Sequence, residues 1–192
     1  EFLEGRGVDK TAIVAHSWGS SIALKMALER PDRVRRLALY DAWVYAEQLP
    51  TTFVWSRVDV LGELIFGLFY DQRPGDKMSV AFYDESYVDY EFIREVEEQL
   101  DRPGTGAAAL AAVRGQRYER IQHEYGRVDQ PVLLLWGRED DVTTLAMGER
   151  LLRQLPNADM TVYARCGHFP MIEAAAASTE DLRVFLAGGT PQ

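Results

Sequence analysis

Three side chains that could cooperate in nucleophilic catalysis occur in the order serine, aspartate, histidine along the chain, at Ser17, Asp140 and His168. A serine hydroxyl is a weak nucleophile, and it becomes reactive when an imidazole accepts its proton and a carboxylate orients that imidazole. Each of the three residues closely follows a segment predicted to be a β-strand. Because the carboxyl ends of parallel strands meet at one edge of a sheet, we expect these side chains to lie together.

The serine occupies the centre of the motif Ala15-His16-Ser17-Trp18-Gly19, between a predicted strand and a predicted helix. A sharp strand-to-helix turn exposes the central hydroxyl and brings the strand and the helix close together. The residues two before and two after the serine must therefore be small, and Ala15 and Gly19 satisfy that limit. The same pattern also fits an ordinary helix N-cap, in which Ser17 accepts a backbone hydrogen bond.

The candidate carboxylates lie in the loop Gly137-Arg138-Glu139-Asp140-Asp141, which follows an apolar run. Asp140 and Asp141 are both also compatible with a helix N-cap, and Asp141 is the neighbour that could substitute for Asp140. We expect Glu139 to be solvated.

The candidate base lies in Cys166-Gly167-His168, again after a predicted strand and before a helix. Of the other two histidines, His16 adjoins the nucleophile, and His123 falls on a polar helical pattern, so His168 is favoured. A nucleophilic Cys166 is also conceivable, but one short loop cannot easily aim both side chains at each other. A buried structural thiol is therefore expected.

Short apolar runs are predicted to form the strands that position these loops, and helical patterns follow them. The strands are expected at 11–16, 36–40, 132–136 and 160–163, and the helices at 20–30, 145–154 and 178–187. Alternating strands and helices predict a parallel α/β sheet, in which strand 11–16 should be covered on both faces. The first five residues are predicted to be the last turn of a helix and its C-terminal glycine, so the chain is expected to begin in mid-fold.

The segment 46–127 interrupts this alternation. It is rich in aromatic residues, lacks a clear buried strand and carries helical patterns at 53–69, 90–100 and 107–125. We therefore predict three parts, which are a core part at 1–45, a helical insertion at 46–127 and a second core part at 128–192. Seven aromatic residues of the insertion could line an apolar pocket, although most are expected to hold its helices together: Phe53, Trp55, Phe66, Phe69, Tyr70, Phe82 and Tyr83.

The composition limits the classes of partner. A net charge of -9 offers no basic face for nucleic acid, and no apolar stretch approaches the length of a membrane-spanning helix. The single Cys166 excludes an internal disulfide and a CxxC zinc site. We expect no metal, no other cofactor and a cytoplasmic protein that acts on a small molecule.

The serine, aspartate and histidine motifs resemble those of the α/β-hydrolase family. The resemblance implies a mostly parallel sheet flanked by helices, with 46–127 as a cap. It also implies that Ser17, Asp140 and His168 are catalytic and that the Trp18 backbone N–H helps to bind an oxyanion. The family's sheet begins upstream of the serine turn with further strands and an oxyanion loop, which this sequence lacks. We expect that N-terminal segment as a separate piece or chain, and the 192 residues alone to aggregate or unfold.

The resulting functional hypothesis is a serine hydrolase that cleaves a small carboxylic ester through an acyl-enzyme on Ser17. Alternatives are a C–C bond hydrolase, or a proline iminopeptidase, whose serine turn the run Ser17-Trp18-Gly19-Ser20 resembles. For the latter, the acidic residues at 84–98 could bind an amino group, although a solvated helix face is favoured. Haloalkane dehalogenases and epoxide hydrolases use a carboxylate nucleophile, which Ser17 argues against. A non-catalytic binding scaffold is the alternative from another class.

Overall fold

A computed structural model describes residues 2–69 and 74–189 of the chain. Within these residues four strands form one sheet in the order β1–β2–β3–β4, and every neighbouring pair is parallel. The predicted parallel sheet flanked by helices is thus confirmed. The strands are β1 (Thr11–His16), β2 (Val34–Tyr40), β3 (Val132–Gly137) and β4 (Ala158–Tyr163). Helices α1 (Phe2–Gly5), α2 (Gly19–Glu29), α8 (Leu145–Gln154), α9 (Pro170–Glu173) and α10 (Ala175–Leu186) accompany them.

The strand register brings the carboxyl ends of the strands to one edge of the sheet. His16, the last residue of β1, is paired with Tyr40, the last residue of β2, which is paired with Leu135 of β3. Gly137 at the end of β3 is paired with Tyr163 at the end of β4. The loops that follow the strands therefore meet in one place, as the serine–aspartate–histidine order requires.

The two faces of the sheet pack against different helices because successive side chains of a strand alternate between faces. On one face Leu39 and Leu134 pack with Leu24 of α2 and Leu151 of α8. On the other face residues such as Leu135 pack with α10. Every residue of β3 is buried, as expected of a central strand.

The first strand is less covered than predicted. Val14 of β1 is 48% exposed, and Ile22 on the following helix is 57% exposed. The prediction that strand 11–16 is buried on both faces is therefore wrong for the described residues. The physical reason is that β1 is a sheet edge here, since among those residues it pairs with β2 alone. The predicted helix 178–187 begins earlier than expected, at Ala175.

The segment 46–127 contains helices and 3-10 turns, and no strand among its described residues. Its helices are α3 (Thr51–Trp55), α4 (Leu61–Phe69), α5 (Pro74–Ser79), α6 (Tyr90–Leu100) and α7 (Thr105–Gly115). The helix predicted at 90–100 agrees with α6, whereas the single helix predicted at 53–69 is divided between α3 and α4. The helix predicted at 107–125 is wrong beyond Gly115, where 3-10 turns follow at Tyr118–Arg120 and Tyr125–Arg127.

The aromatic residues of the insertion have different environments. Phe66 packs with Leu110, Val113 and the partly buried Phe53, which agrees with the expectation that such residues hold the helices together. Trp55 and Tyr83 are instead about half exposed, while Tyr70 and the Phe69 side chain lie outside the described residues. Within the described residues, no helix combines the length and apolarity needed to cross a bilayer.

Candidate active site

The serine lies in a strained turn between β1 and α2. Its backbone φ is 51°, in the left-handed region that residues other than glycine seldom adopt. Hydrogen bonds hold the turn in place: the Ser17 N–H donates to the Tyr40 carbonyl at 2.9 Å, and the Ser17 carbonyl accepts from Trp43 at 3.0 Å. A methyl group at Gly19 would lie 3.8 Å from the Ala15 Cβ, an ordinary contact, so the two small positions do face each other.

The carboxylate of Asp140 is buried at the end of β3 and accepts four hydrogen bonds. Oδ1 accepts from the backbone N–H groups of Val142 (2.7 Å) and Thr143 (3.0 Å). Oδ2 accepts from the Thr143 hydroxyl (2.6 Å) and from Nδ1 of His168 (2.8 Å). Burial raises the pKa of Asp140, but hydrogen bonds from His168 and Thr143, together with the charge of His168, outweigh burial, so the pKa lies below its usual value.

The alternative that Asp140 is an ordinary N-cap does not describe its position. Helix α8 begins at Leu145, and its N-cap residue is Thr144. Asp140 instead closes the turn that precedes this helix, and Trp136 fixes the same turn by donating its indole N–H to the Thr143 carbonyl at 2.8 Å. The prediction that Glu139 is merely solvated is wrong, because its Oε2 accepts a hydrogen bond from the backbone N–H of Cys166 at 3.0 Å.

The imidazole of His168 lies between the carboxylate and the serine. Its Nε2 is 2.9 Å from the Ser17 hydroxyl oxygen, and its Nδ1 is 2.8 Å from Oδ2 of Asp140. An ionised carboxylate accepts only, so Nδ1 carries the proton and Nε2 is free to accept one from the hydroxyl. The structure therefore brings the three predicted residues into one continuous hydrogen-bonded chain.

The loop that carries His168 is anchored to its surroundings from two sides. The backbone N–H of His168 donates to the Ala81 carbonyl of the insertion at 2.7 Å. The carboxylate of Glu173 also joins the histidine loop to the insertion. Its Oε2 accepts from the backbone N–H of Gly167 at 2.7 Å, and its Oε1 accepts from the backbone N–H groups of Tyr83 and Asp84, each at 2.9 Å. The loop that carries the imidazole is thereby tied to the insertion directly and through Glu173 of α9.

Glycine at position 137 is required by the close approach of the acid and histidine loops. A Cβ atom there would lie 1.9 Å from the carbonyl oxygen of Gly167. That separation is far inside any real contact, so a larger residue would push the two loops apart.

His16 does not take part in the hydrogen bonds that join Ser17, His168 and Asp140, although it contacts His168. Its Nε2 lies 2.8 Å from the His168 carbonyl oxygen, and its ring contacts the rings of His168 and Phe169. Burial and the neighbouring His168 lower the pKa of His16 to about 4, so it is neutral at pH 7 and donates this bond. Its role in supporting the histidine loop was not predicted, since the sequence gives no sign of that contact.

Cys166 is fully buried, as expected of a structural thiol, and burial raises its pKa to about 12. The acidic residues near 84–98 serve local purposes: Asp84 accepts from the Ser86 N–H, and Asp89 caps α6 by accepting from Phe92. These contacts agree with the favoured interpretation as a solvated face.

A second buried acid, Asp41, lies beside Asp140 and was not among the predicted site residues. In the described ranges, one ligand atom each of Asp41, Asp140 and His168 lie within 4.8 Å of one another, a spacing that could also hold a metal ion. His168 Nδ1 already donates to Asp140 in this arrangement, so that nitrogen has no lone pair for a metal. The signal that could have identified Asp41 is its position directly after β2.

The chain matches known proteins over nearly its whole length. A family model described as the alpha/beta hydrolase family matches residues 1–180. A 2-hydroxy-6-oxononadienedioate/2-hydroxy-6-oxononatrienedioate hydrolase of Paraburkholderia phymatum is 28% identical over 191 residues, covering 96% of this chain and 65% of the relative. The chain spans 61% to 65% of the length of the first curated relatives that it matches.

Two solved structures show the likeness in three dimensions. A meta-cleavage product hydrolase from Pseudomonas fluorescens is 22% identical with a TM-score of 0.75, covering 97% of this chain and 67% of the other. A thermophilic esterase from Thermogutta terrifontis is 21% identical with a TM-score of 0.77, covering 97% and 68%. At these identities the two likenesses show a shared fold.

Proposed function

Because the chain belongs to the α/β-hydrolase family, we propose that it carries the catalytic triad of a serine hydrolase, with Ser17 as nucleophile, His168 as base and Asp140 as orienting acid. The observation that supports this assignment is the unbroken hydrogen-bonded chain, with 2.9 Å between Ser17 and His168 and 2.8 Å between His168 and Asp140. The lowered pKa of Asp140 supports it further, because the carboxylate stays ionised and can stabilise the imidazolium that forms.

In the proposed reaction the Ser17 hydroxyl transfers its proton to Nε2 of His168 as its oxygen attacks a substrate carbonyl carbon. The resulting tetrahedral oxyanion collapses, the bond to the leaving group breaks, and His168 gives its proton to that group. Water then attacks the acyl-enzyme as His168 accepts one of its protons, and His168 returns that proton to the Ser17 oxygen as the bond to the acyl group breaks and the acid is released. Asp140 keeps the imidazole in one tautomer throughout.

The backbone N–H of Trp18 is the proposed first donor to the oxyanion. Trp18 follows the nucleophile and is the N-cap residue of α2, and no acceptor within the described residues bonds its backbone N–H. Loss of one oxyanion donor lowers the rate by about 10²- to 10³-fold, so a second donor is needed for full activity.

We propose a small carboxylic ester as the first substrate class, since the proposed triad is suited to acyl transfer. Cleavage of a C–C bond beside a ketone is the second, and the names of the relatives favour it. It requires the same attack on a carbonyl, but the leaving group is a carbon atom that must be protonated. Rates on p-nitrophenyl butyrate and on a 2-hydroxy-6-oxo dienoate, measured with the same enzyme sample, distinguish the two classes.

The test of the nucleophile is labelling of the full-length protein by a fluorophosphonate. One label per protein molecule is expected at Ser17, and Ser17→Ala should abolish it. Ser20→Ala is a matched control, because Ser20 is buried nearby and its hydroxyl has no partner among the described residues. Labelling that survives in Ser17→Ala would contradict Ser17 as the nucleophile, and no labelling of the wild type would favour the non-catalytic scaffold.

We also infer that a further polypeptide segment, from the same gene product or from another chain, covers β1 and supplies the second oxyanion donor. Support comes from the half-exposed Val14 and from the backbone groups at the free side of β1, which an added strand would pair. Residues 1–192 produced alone should aggregate or unfold. A stable monomer, with amide hydrogens of β1 protected from exchange, would contradict the inference.

A further inference from the structure

A buried carboxyl group without a full set of partners lies beside the proposed triad. Asp41 follows β2 directly, has no exposed surface and adopts a backbone φ of 40°. Its Oδ1 accepts the Gly137 N–H at 2.9 Å, whereas its Oδ2 is buried without a hydrogen-bond partner among the described residues. One of its carboxyl oxygens lies within 4.8 Å of ligand atoms of both Asp140 and His168.

Two carboxyl groups at this spacing are not both ionised at low cost, so one of them keeps a proton. Asp140 accepts four hydrogen bonds, which stabilise its negative charge, while Asp41 accepts one. The charge therefore belongs on Asp140 and the proton on Asp41. Burial first, and the charge of Asp140 second, raise the pKa of Asp41 to about 10.

We propose that Asp41 is a positioning residue of the triad, which remains protonated and donates its Oδ2–H to the carboxylate of Asp140. This inference rests on the proposed function, because it assigns Asp41 a task within the serine–histidine–aspartate chain. The bond would satisfy the orphaned oxygen, fix the orientation of the Asp140 carboxylate and keep a second negative charge away from His168.

The other titratable groups around Asp41 do not take over this role. Glu173 on α9 adds negative charge that disfavours ionisation of Asp41, and its oxygens already bind backbone N–H groups. Burial raises the pKa of Cys166 to about 12 and also raises the pKa of Tyr40, so both stay neutral while Asp41 ionises. A rise in pH through about 10 is therefore expected to ionise Asp41.

Two substitutions in the full-length protein separate positioning from packing. In Asp41→Asn the amide oxygen still accepts from Gly137, the amide N–H can donate to Asp140, and asparagine tolerates the positive φ. In Asp41→Ala both bonds are lost. Asp41→Ala should lower kcat by about 10- to 100-fold with little change in KM, and Asp41→Asn should restore most of that loss. Counting phosphonate-labelled sites corrects each kcat for misfolded protein.

The pH profile provides a readout that packing alone would not change. Wild-type kcat should fall as pH rises through about 10, the pKa of Asp41, whereas Asp41→Asn should retain its activity there. An unchanged alkaline fall in Asp41→Asn, or wild-type kcat in Asp41→Ala, would overturn the proposal.

Infrared difference spectroscopy tests the proton on Asp41 without any turnover. The wild type at neutral pH should show the carbonyl band of a protonated carboxylic acid, and Asp41→Asn should lack it. If Ser17 reacts with the phosphonate but the band is missing, the inference about Asp41 is wrong and the proposed function stands. If the band is present but Ser17 is inert, the proposed function fails instead.

Discussion

Replacing Asp41 with asparagine, which cannot titrate, should change how the stability of the protein depends on pH. In the unfolded chain this carboxyl titrates near the ordinary value of 3.8, whereas in the folded protein its pKa is raised to about 10. Between these values the folded state binds one more proton than the unfolded state. The free energy of unfolding therefore falls with rising pH across this window, by up to about 1.4 kcal/mol per pH unit.

At pH 7 the loss of unfolding free energy that Asp41 causes reaches an upper limit of roughly 4 kcal/mol. Asp41→Asn avoids this loss because an amide does not titrate. The variant should consequently gain stability relative to the wild type as pH rises from about 4 to about 7. The difference should be small at the acidic end, where Asp41 is protonated in both states.

Urea unfolding of the full-length protein at several pH values between these limits measures the difference. Asp159→Asn is the matched control, because it neutralises an exposed acid in β4. Its stability should run parallel to that of the wild type. A difference between Asp41→Asn and the wild type that stays constant with pH, or that narrows as pH rises, would refute the assignment of the proton to Asp41.

Three further predictions concern the neighbours of the proposed triad. Thr143→Val removes the hydroxyl that donates to Asp140 and should lower kcat by about tenfold; unchanged steady-state kinetics would contradict this. Gly137→Ala should cost at least about 3 kcal/mol in denaturant unfolding, since its Cβ would meet the Gly167 carbonyl, whereas Gly19→Ala, which meets only an ordinary contact, should cost far less. The pKa of His16 is lowered from 6.5 to about 4, so its stabilising contribution, complete above pH 6.5, is lost as pH falls towards 4. Between pH 6.5 and pH 4, His16→Gln should lose up to about 3 kcal/mol less unfolding free energy than the wild type. An equal loss of stability in both proteins over this range would argue against the lowered pKa of His16.

The sheet could be predicted well because its strands carry a strong local signal. The runs at 132–136 and 160–163 are apolar and short, and the structure extends each by only one or two residues. The positions of Ser17, Asp140 and His168 follow from that sheet, since every loop after a parallel strand reaches the same edge. The hydrogen bonds among the three residues could not be predicted from the sequence, because they depend on the exact positions of the side chains in the folded protein.

The insertion was harder to predict because its apolar spacing has two explanations. Tyr118, Ile121 and Tyr125 recur at helical intervals, yet after Gly115 the chain forms two separate 3-10 turns, with Tyr118 in the first, Ile121 directly after it and Tyr125 in the second. Their side chains are held by tertiary contacts: Tyr125, for example, is fully buried and donates its hydroxyl to the Val44 carbonyl. Glycine, which is a poor helix former, and this packing outweigh the periodicity.

Asp41 illustrates a different limit. An acid at the end of a strand is expected to be solvated, and only its burial against Asp140 makes it unusual. Its position directly after β2 indicates the edge of the sheet where Asp41 lies, but the contact with Asp140 joins residues nearly a hundred positions apart and needs the folded structure.

The double attachment of Glu173 couples the insertion to the loop that carries His168. Its carboxylate joins the histidine loop to residues 83 and 84 of the insertion, and the Ala81 carbonyl adds a third connection. An outward movement of residues 81–84 would therefore either break these hydrogen bonds or displace the loop that carries His168. If Ser17 is the nucleophile, as proposed, an opening at 81–84 that displaced His168 would also remove the base that activates it.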